Sequence, residues 1–133
     1  MKHNFYNFKR QLLLERTFNN DCESICKDFV KFCKEHLELD EPVKINFFSE
    51  LDPRITTGCY IPGEKQIKIY VKDRGLIDVL RSIAHEMVHQ KQHTTGQLNE
   101  LSGETGSDHE NEAHATAGVI MRLFQQNNRD KIY

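Results

Sequence analysis

The five residues H-E-M-V-H at positions 85–89 restrict the possible folds of this chain more than any other feature. They lie in a segment, about 76–93, whose apolar periodicity predicts an amphipathic helix. Residues four apart on a helix lie on one face, so His85 and His89 can bind one zinc ion together. Glu86 lies at the flank of that face, where its carboxylate can accept a proton from a zinc-activated water. The alternative interpretation is a partly exposed helix with two unrelated histidines.

The third zinc ligand decides the class of such a site, because catalytic zinc usually has three protein ligands and one open position. The pattern H-E-x-x-H-x-x-G-x-x-H fails here, since Gln92 and Thr95 stand where it requires glycine and histidine. A metzincin-like site is therefore excluded. His93 continues the row of His85 and His89, but three ligands on one straight helix cannot easily surround one ion. We expect His93 to lie exposed near the end of the helix.

Better candidates for the third ligand lie in the last predicted helix, about 108–126. Glu110 shares the apolar face of this helix, whereas Glu112 is turned about 200° away from it. Glu110 is therefore the first candidate, and Glu112 is the alternative if the helix is rotated. His109 and His114 are further candidates. The apolar face itself comprises Ala113, Ala117, Ile120, Met121 and Phe124.

These two motifs resemble those of a known family. H-E-x-x-H followed some twenty residues later by Glu-x-x-Ala resembles the gluzincin metallopeptidases, the group that includes thermolysin. In its compact size and in the run E-N-E-A-H-A-T-A at 110–117, the chain is most similar to minimal gluzincins of the ImmA/IrrE type. The resemblance covers about residues 43–124.

The resemblance implies a zinc metallopeptidase with one Zn²⁺ per chain, bound by His85, His89 and Glu110. Glu86 would be the catalytic base for hydrolysis of a peptide bond. Where the family commonly has Asn or Asp, this chain has His114. His114 or His109 would then orient a zinc-bound imidazole or stabilise the oxyanion.

The order of predicted elements indicates an α+β fold. Helices are expected at 4–18 and 21–37, a strand at 43–48, and a hairpin at 56–71 before the two helices already named. This order gives N-terminal helices, a small antiparallel sheet, an active-site helix and a C-terminal glutamate helix, and the resemblance implies that the fold is zincin-like. One domain is expected over 1–133, with a helical N-terminal part at 1–40 and a zincin core at 43–126. One arm of the hairpin should be an edge strand to which a peptide substrate can add.

Composition bears on partners and compartment. The chain has 18 basic and 20 acidic residues, and it has no Lys or Arg between Thr94 and Ile120, so no nucleic-acid partner is expected. No leader peptide or membrane span is evident, which predicts a cytoplasmic protein, in the host cytoplasm if a bacteriophage encodes it. The four cysteines are expected to be free thiols. The sequence gives no indication of oligomeric state.

Two other functions remain open at this point. The first is a zinc-binding regulatory or structural protein without turnover, in which His93 or His114 supplies a fourth ligand. The second is a SprT-like protease, which would use a third histidine as ligand. The His-Gly context usual for that class is missing, because His109 precedes Glu110 and His114 precedes Ala115.

Overall fold

A computed structural model describes residues 17–55, 57–96 and 107–132. Within these ranges the chain is α+β, with four α-helices, one 3-10 turn (Asn20–Cys22) and a three-stranded sheet. The helices are α1 (Glu23–Leu37), α2 (Leu76–Thr94), α3 (Asp108–Asn127) and α4 (Arg129–Ile132). The strands are β1 (Lys44–Phe48), β2 (Gly58–Ile61) and β3 (Gln66–Tyr70).

The predicted helices at 21–37, 76–93 and 108–126 are confirmed to within two residues at each end. The helix predicted at 4–18 lies outside the described residues except for Thr17 and Phe18, and for these two the prediction was wrong. Thr17 forms a β-bridge with Gly75, and the Phe18 N–H donates to the Arg74 carbonyl. The four cysteines are free thiols, as expected. Among the described helices, none has the length and apolar character needed to cross a bilayer.

The sheet has the strand order β1-β3-β2, so β3 is central. The predicted hairpin is confirmed, because β2 and β3 pair antiparallel. The prediction of an antiparallel sheet was wrong for the other pair, since β1 and β3 run parallel. After β1 at one edge of the sheet, the chain crosses to the opposite edge and forms β2 there. A tight turn then reverses the chain direction, and β3 lies between β1 and β2. β3 therefore runs in the same direction as β1.

Helix α2 lies at the centre of the molecule and packs against the sheet, α1 and α3. Ile67 and Ile69 of β3 are fully buried in the shared core. The predicted apolar face of α3 is confirmed, because each of its five residues is buried. The rings of Phe29 in α1 and Phe124 in α3 meet edge to face, with centroids 4.9 Å apart. This contact packs the C-terminal end of α3 against α1.

Arg74 joins the sheet to the start of α2. Its Nη1 donates to the carbonyl oxygens of Thr57 and Tyr70, at 3.1 and 2.6 Å. Its Nε donates to Asp78 Oδ2 at 2.8 Å, and its Nη2 donates to the Asp78 carbonyl and to Ser82 Oγ at 3.1 and 2.6 Å. All five N–H groups of a guanidinium are therefore used. This network fixes the beginning of β2 relative to α2.

Replacing Arg74 with methionine should lower the free energy of unfolding by about 3 kcal/mol, because buried carbonyl oxygens lose their donors. Urea unfolding followed by circular dichroism measures the change. Arg54→Met is the matched control, since the Arg54 side chain is exposed and forms an ion pair with Asp52 at 3.2 Å. It should leave stability nearly unchanged. Equal losses in both variants would contradict this role for Arg74.

Candidate metal centre

His85, His89 and Glu110 meet where the middle of α2 faces the first turn of α3. Glu110 Oε1 lies 2.6 Å from His85 Nε2, and Glu110 Oε2 lies 3.0 Å from His89 Nε2. The ligand atoms of the three residues all lie within 4.8 Å of one another. Their side chains are 10–16% exposed, so the site is shielded but reachable from solvent. These three residues could hold a metal ion, and two imidazoles with one carboxylate suit zinc.

The sequence at the start of α3 explains why Glu110 faces α2. Ser107 is the N-cap, and its Oγ accepts a hydrogen bond from the Glu110 N–H at 3.1 Å. Glu110 therefore lies in the first turn of the helix, where a carboxylate is favoured by the helix dipole. Ala113 and Ala117 are buried on the same face, and their small side chains let α3 approach α2 closely. Glu110 can then reach both histidines.

Glu86 lies beside this group and is almost fully buried, with 7% of its surface exposed. Burial raises the pKa of Glu86 to about 8, and the nearby Glu110 carboxylate adds to the rise. A hydrogen bond from the Tyr60 backbone N–H acts in the opposite direction. Burial also lowers the pKa of His85, which favours the neutral imidazole that a metal requires. The raised pKa makes the Glu86 carboxylate a stronger base than an exposed one.

Strand β2 brings to Glu86 the edge that pairs with no other strand within the described part of the chain. The Tyr70 N–H donates to the Thr57 carbonyl, so the backbone groups of Thr57 point towards β3. Backbone direction alternates along a strand. The polar backbone groups of Gly58 and Tyr60 therefore point away from β3, and the Tyr60 N–H reaches Glu86. This edge strand is the arm of the hairpin that faces the site.

The other predicted site residues lie around the group of three. Glu112 is exposed, and its Oε1 accepts a hydrogen bond from Gln92 Nε2 at 2.9 Å. His114 is 70% exposed, with Nε2 3.5 Å from Glu110 Oε1. Its ring centroid lies 4.4 Å from that of His85. The backbone carbonyl of His109 accepts from Gln92 Nε2. The geometry thus places Glu110, and not Glu112, between the two histidines.

His93, expected to be exposed, is only partly so. Its Nδ1 lies 3.4 Å from the Tyr60 hydroxyl oxygen, and the two rings meet edge to face. It takes no part in the three-residue group among the residues described.

Two residues at the site were missed by the sequence analysis. Gln92 is 1% exposed, and its Oε1 lies 2.8 Å from His89 Nδ1. Its position three residues after His89 was a usable signal, because residues at that spacing are neighbours on a helix. Tyr60 supplies a backbone N–H to Glu86. No sequence pattern indicates that contact, since it depends on how β2 packs against α2.

Comparison with known proteins adds no relative. No family model matches the chain. Searches of curated proteins and of solved structures find no match either. Function must therefore be inferred from the chemistry of the site.

Gly58 sets the distance between β2 and Glu86. A Cβ at this position would lie 2.8 Å from Ile69 Cδ1, 3.0 Å from the Lys68 carbonyl oxygen and 3.5 Å from Glu86 Cγ. We predict that Gly58→Ala lowers the free energy of unfolding by about 1–3 kcal/mol, because the strand must shift. Chemical denaturation measures this change.

Gly118→Ala is the control for that variant. Gly118 lies in α3 with nothing within 4 Å of an added Cβ. Alanine in an exposed helix should raise stability by about 0.5–1 kcal/mol. Tolerance of alanine at position 58 without loss of stability would refute the close approach of β2.

Proposed function

We propose that the protein is a zinc-dependent metallopeptidase. The observation that carries the proposal is the convergence of His85, His89 and Glu110, whose ligand atoms lie within 4.8 Å of one another. Three protein ligands leave the open position typical of catalytic zinc. The same ligand set is implied by the sequence resemblance to gluzincins. Zinc bound there would supply Lewis acidity, which makes water a nucleophile near neutral pH and polarises a peptide carbonyl.

Glu86 is the residue of this chain that moves protons in the proposed reaction. Its carboxylate would accept a proton from the attacking water and pass it to the leaving amine. Its burial supports this role, because a desolvated carboxylate holds a proton more strongly than an exposed one. The Tyr60 N–H restrains the carboxylate beside the metal ligands. A carboxylate free to move would spend less time next to the reacting atoms, so its effective concentration there would be lower.

The edge of β2 supports a peptide as the substrate. The outward backbone groups of Gly58 and the outward carbonyl of Tyr60 can pair with an extended chain. Such a strand would lie beside Glu86 and present its carbonyl groups to the metal centre. β2 has four residues, so main-chain recognition would span a short stretch of substrate. Tyr60 and His93 would form one wall of the binding cleft.

A second function is favoured by one specific observation. His114 Nε2 lies 3.5 Å from Glu110 Oε1, so a fourth donor stands close to the ligand group. If His114 also binds the metal, the site is closed, and the protein is a zinc-binding regulator or a structural zinc protein without turnover. A SprT-like ligand set has less support, because a glutamate and not a third histidine lies between His85 and His89.

The Glu86→Gln variant tests turnover. We expect it to retain zinc, because Glu86 is not in the ligand group, and to lose at least about 10²-fold in cleavage rate. New protein N-termini in cells expressing wild type or Glu86→Gln can be compared by mass spectrometry. Candidate substrates are then assayed with purified protein.

Glu64→Gln is the matched control for that variant, since Glu64 is an exposed residue in the hairpin turn. It should cleave like wild type. Undiminished cleavage by Glu86→Gln would sink the proposed mechanism. Identical N-termini from all three proteins, together with loss of zinc in His114→Ala, would favour the closed, non-catalytic site.

A further inference from the structure

Gln92 is a buried glutamine whose side chain is hydrogen-bonded at both ends. Its surface is 1% exposed. The Oε1 atom lies 2.8 Å from His89 Nδ1. The Nε2 atom donates to the His109 carbonyl and to Glu112 Oε1, both at 2.9 Å. This side chain therefore connects a candidate metal ligand on α2 to the first turn of α3.

The two acceptors determine which way the amide points. A carbonyl oxygen and a carboxylate oxygen both face the amide nitrogen of Gln92. With the amide reversed, its oxygen would face two oxygens and neither contact could be a hydrogen bond. The Gln92 oxygen must therefore face His89 Nδ1. An oxygen in that place can only accept, so Nδ1 of His89 carries a proton.

The protonation of Nδ1 determines what the other ring nitrogen can do. In a neutral imidazole only one nitrogen carries the proton, and the other keeps a lone pair. In the neutral form of His89 the lone pair would then be on Nε2, the atom that lies 3.0 Å from Glu110 Oε2. This is the nitrogen that faces the candidate metal centre.

We propose that Gln92 is a positioning residue that holds His89 in the tautomer and orientation required for metal binding, with Glu112 as its support. The proposal rests on the proposed function, because it assigns Gln92 a role at the same metal centre. It extends the motif on α2 to H-E-x-x-H-x-x-Q. It also gives Glu112 a role other than ligand, since its carboxylate restrains the Gln92 amide.

A purely structural role for Gln92 is the competing explanation. In that case the amide only satisfies the His109 carbonyl at the contact between α2 and α3. Gln90 provides a matched control, because it is a fully buried glutamine on the same helix. Its Nε2 donates to Glu41 Oε1 and to the Pro42 carbonyl, at 2.9 and 3.2 Å. Gln90→Met should cost stability without altering the metal centre.

The first measurement reads the tautomer of His89 directly. Long-range ¹H–¹⁵N NMR of the metal-free chain at about pH 8, where imidazole is neutral, shows which ring nitrogen carries the proton. The Glu110→Ala background removes the carboxylate that competes for the Nε2 proton. We expect His89 to be protonated at Nδ1 in this background and to populate both tautomers when Gln92→Met is added. Adding Gln90→Met instead should leave the tautomer unchanged.

The second measurement is zinc affinity, by competition with a chromophoric chelator, in chains that retain Glu110. Gln92→Met should weaken zinc binding about 10–100-fold, as expected for loss of a group that orients a ligand. Gln90→Met should bind zinc like wild type. Gln92→Glu alone should also bind zinc weakly, because the new carboxylate would face the Glu112 carboxylate and the His109 carbonyl oxygen, which repel it.

The double variant Gln92→Glu/Glu112→Gln tests rescue. The carboxylate at position 92 can accept from His89 Nδ1, and the amide at position 112 can donate to that carboxylate. We expect the double variant to bind zinc more tightly than Gln92→Glu or Gln92→Met. A merely structural contact would not produce this recovery.

An unchanged His89 tautomer in Gln92→Met would overturn the proposal, as would an equal loss of zinc affinity in Gln90→Met. Absence of zinc binding in the wild-type chain would instead overturn the proposed function. The NMR comparison uses metal-free protein, so it would still decide whether Gln92 fixes the tautomer. The two failures are therefore distinguishable.

Discussion

The contact between α2 and the first turn of α3 places the Glu110 carboxylate against two imidazoles, and the candidate site depends on it. Apolar packing of α3 on the core brings the helices together, but the polar groups at their junction gain nothing from burial alone. The Glu110 carboxylate also disfavours the charged form of the buried Glu86, whose pKa it raises. A divalent cation would relieve this repulsion and join the two helices. Metal binding and folding should therefore be coupled in this protein.

The sheet contributes by holding one strand edge against the same helix. Arg74 fixes the start of β2 through the Thr57 carbonyl, and Gly58 lets the strand approach Glu86. The Tyr60 N–H then reaches the carboxylate. A backbone donor in a strand is held by the sheet, so it restrains Glu86 with little entropic cost. The position of the proposed base thus depends on the sheet, and the positions of the candidate ligands depend on the helices.

The sequence was sufficient for features that depend on local periodicity. It predicted three helices, the hairpin and the inward direction of Glu110, because each follows from residue spacing within one element. The parallel pairing of β1 with β3 was not predictable from alternation, since it depends on where the chain crosses the sheet. The role of Gln92 required the packing of α3 on α2, which brings His109 and Glu112 to its amide. Non-local contacts of this kind leave no periodic signal.

The most direct test of the account is the zinc content of purified wild type, Glu110→Ala and Glu112→Ala by elemental mass spectrometry, after preparation with zinc and without chelator. The account predicts about one zinc per chain in wild type and in Glu112→Ala, and loss of zinc in Glu110→Ala. Glu112→Ala retains the metal because the His109 carbonyl still holds the Gln92 amide. No zinc in wild type, or full retention in Glu110→Ala, would contradict the central claim that these two helices form a zinc site.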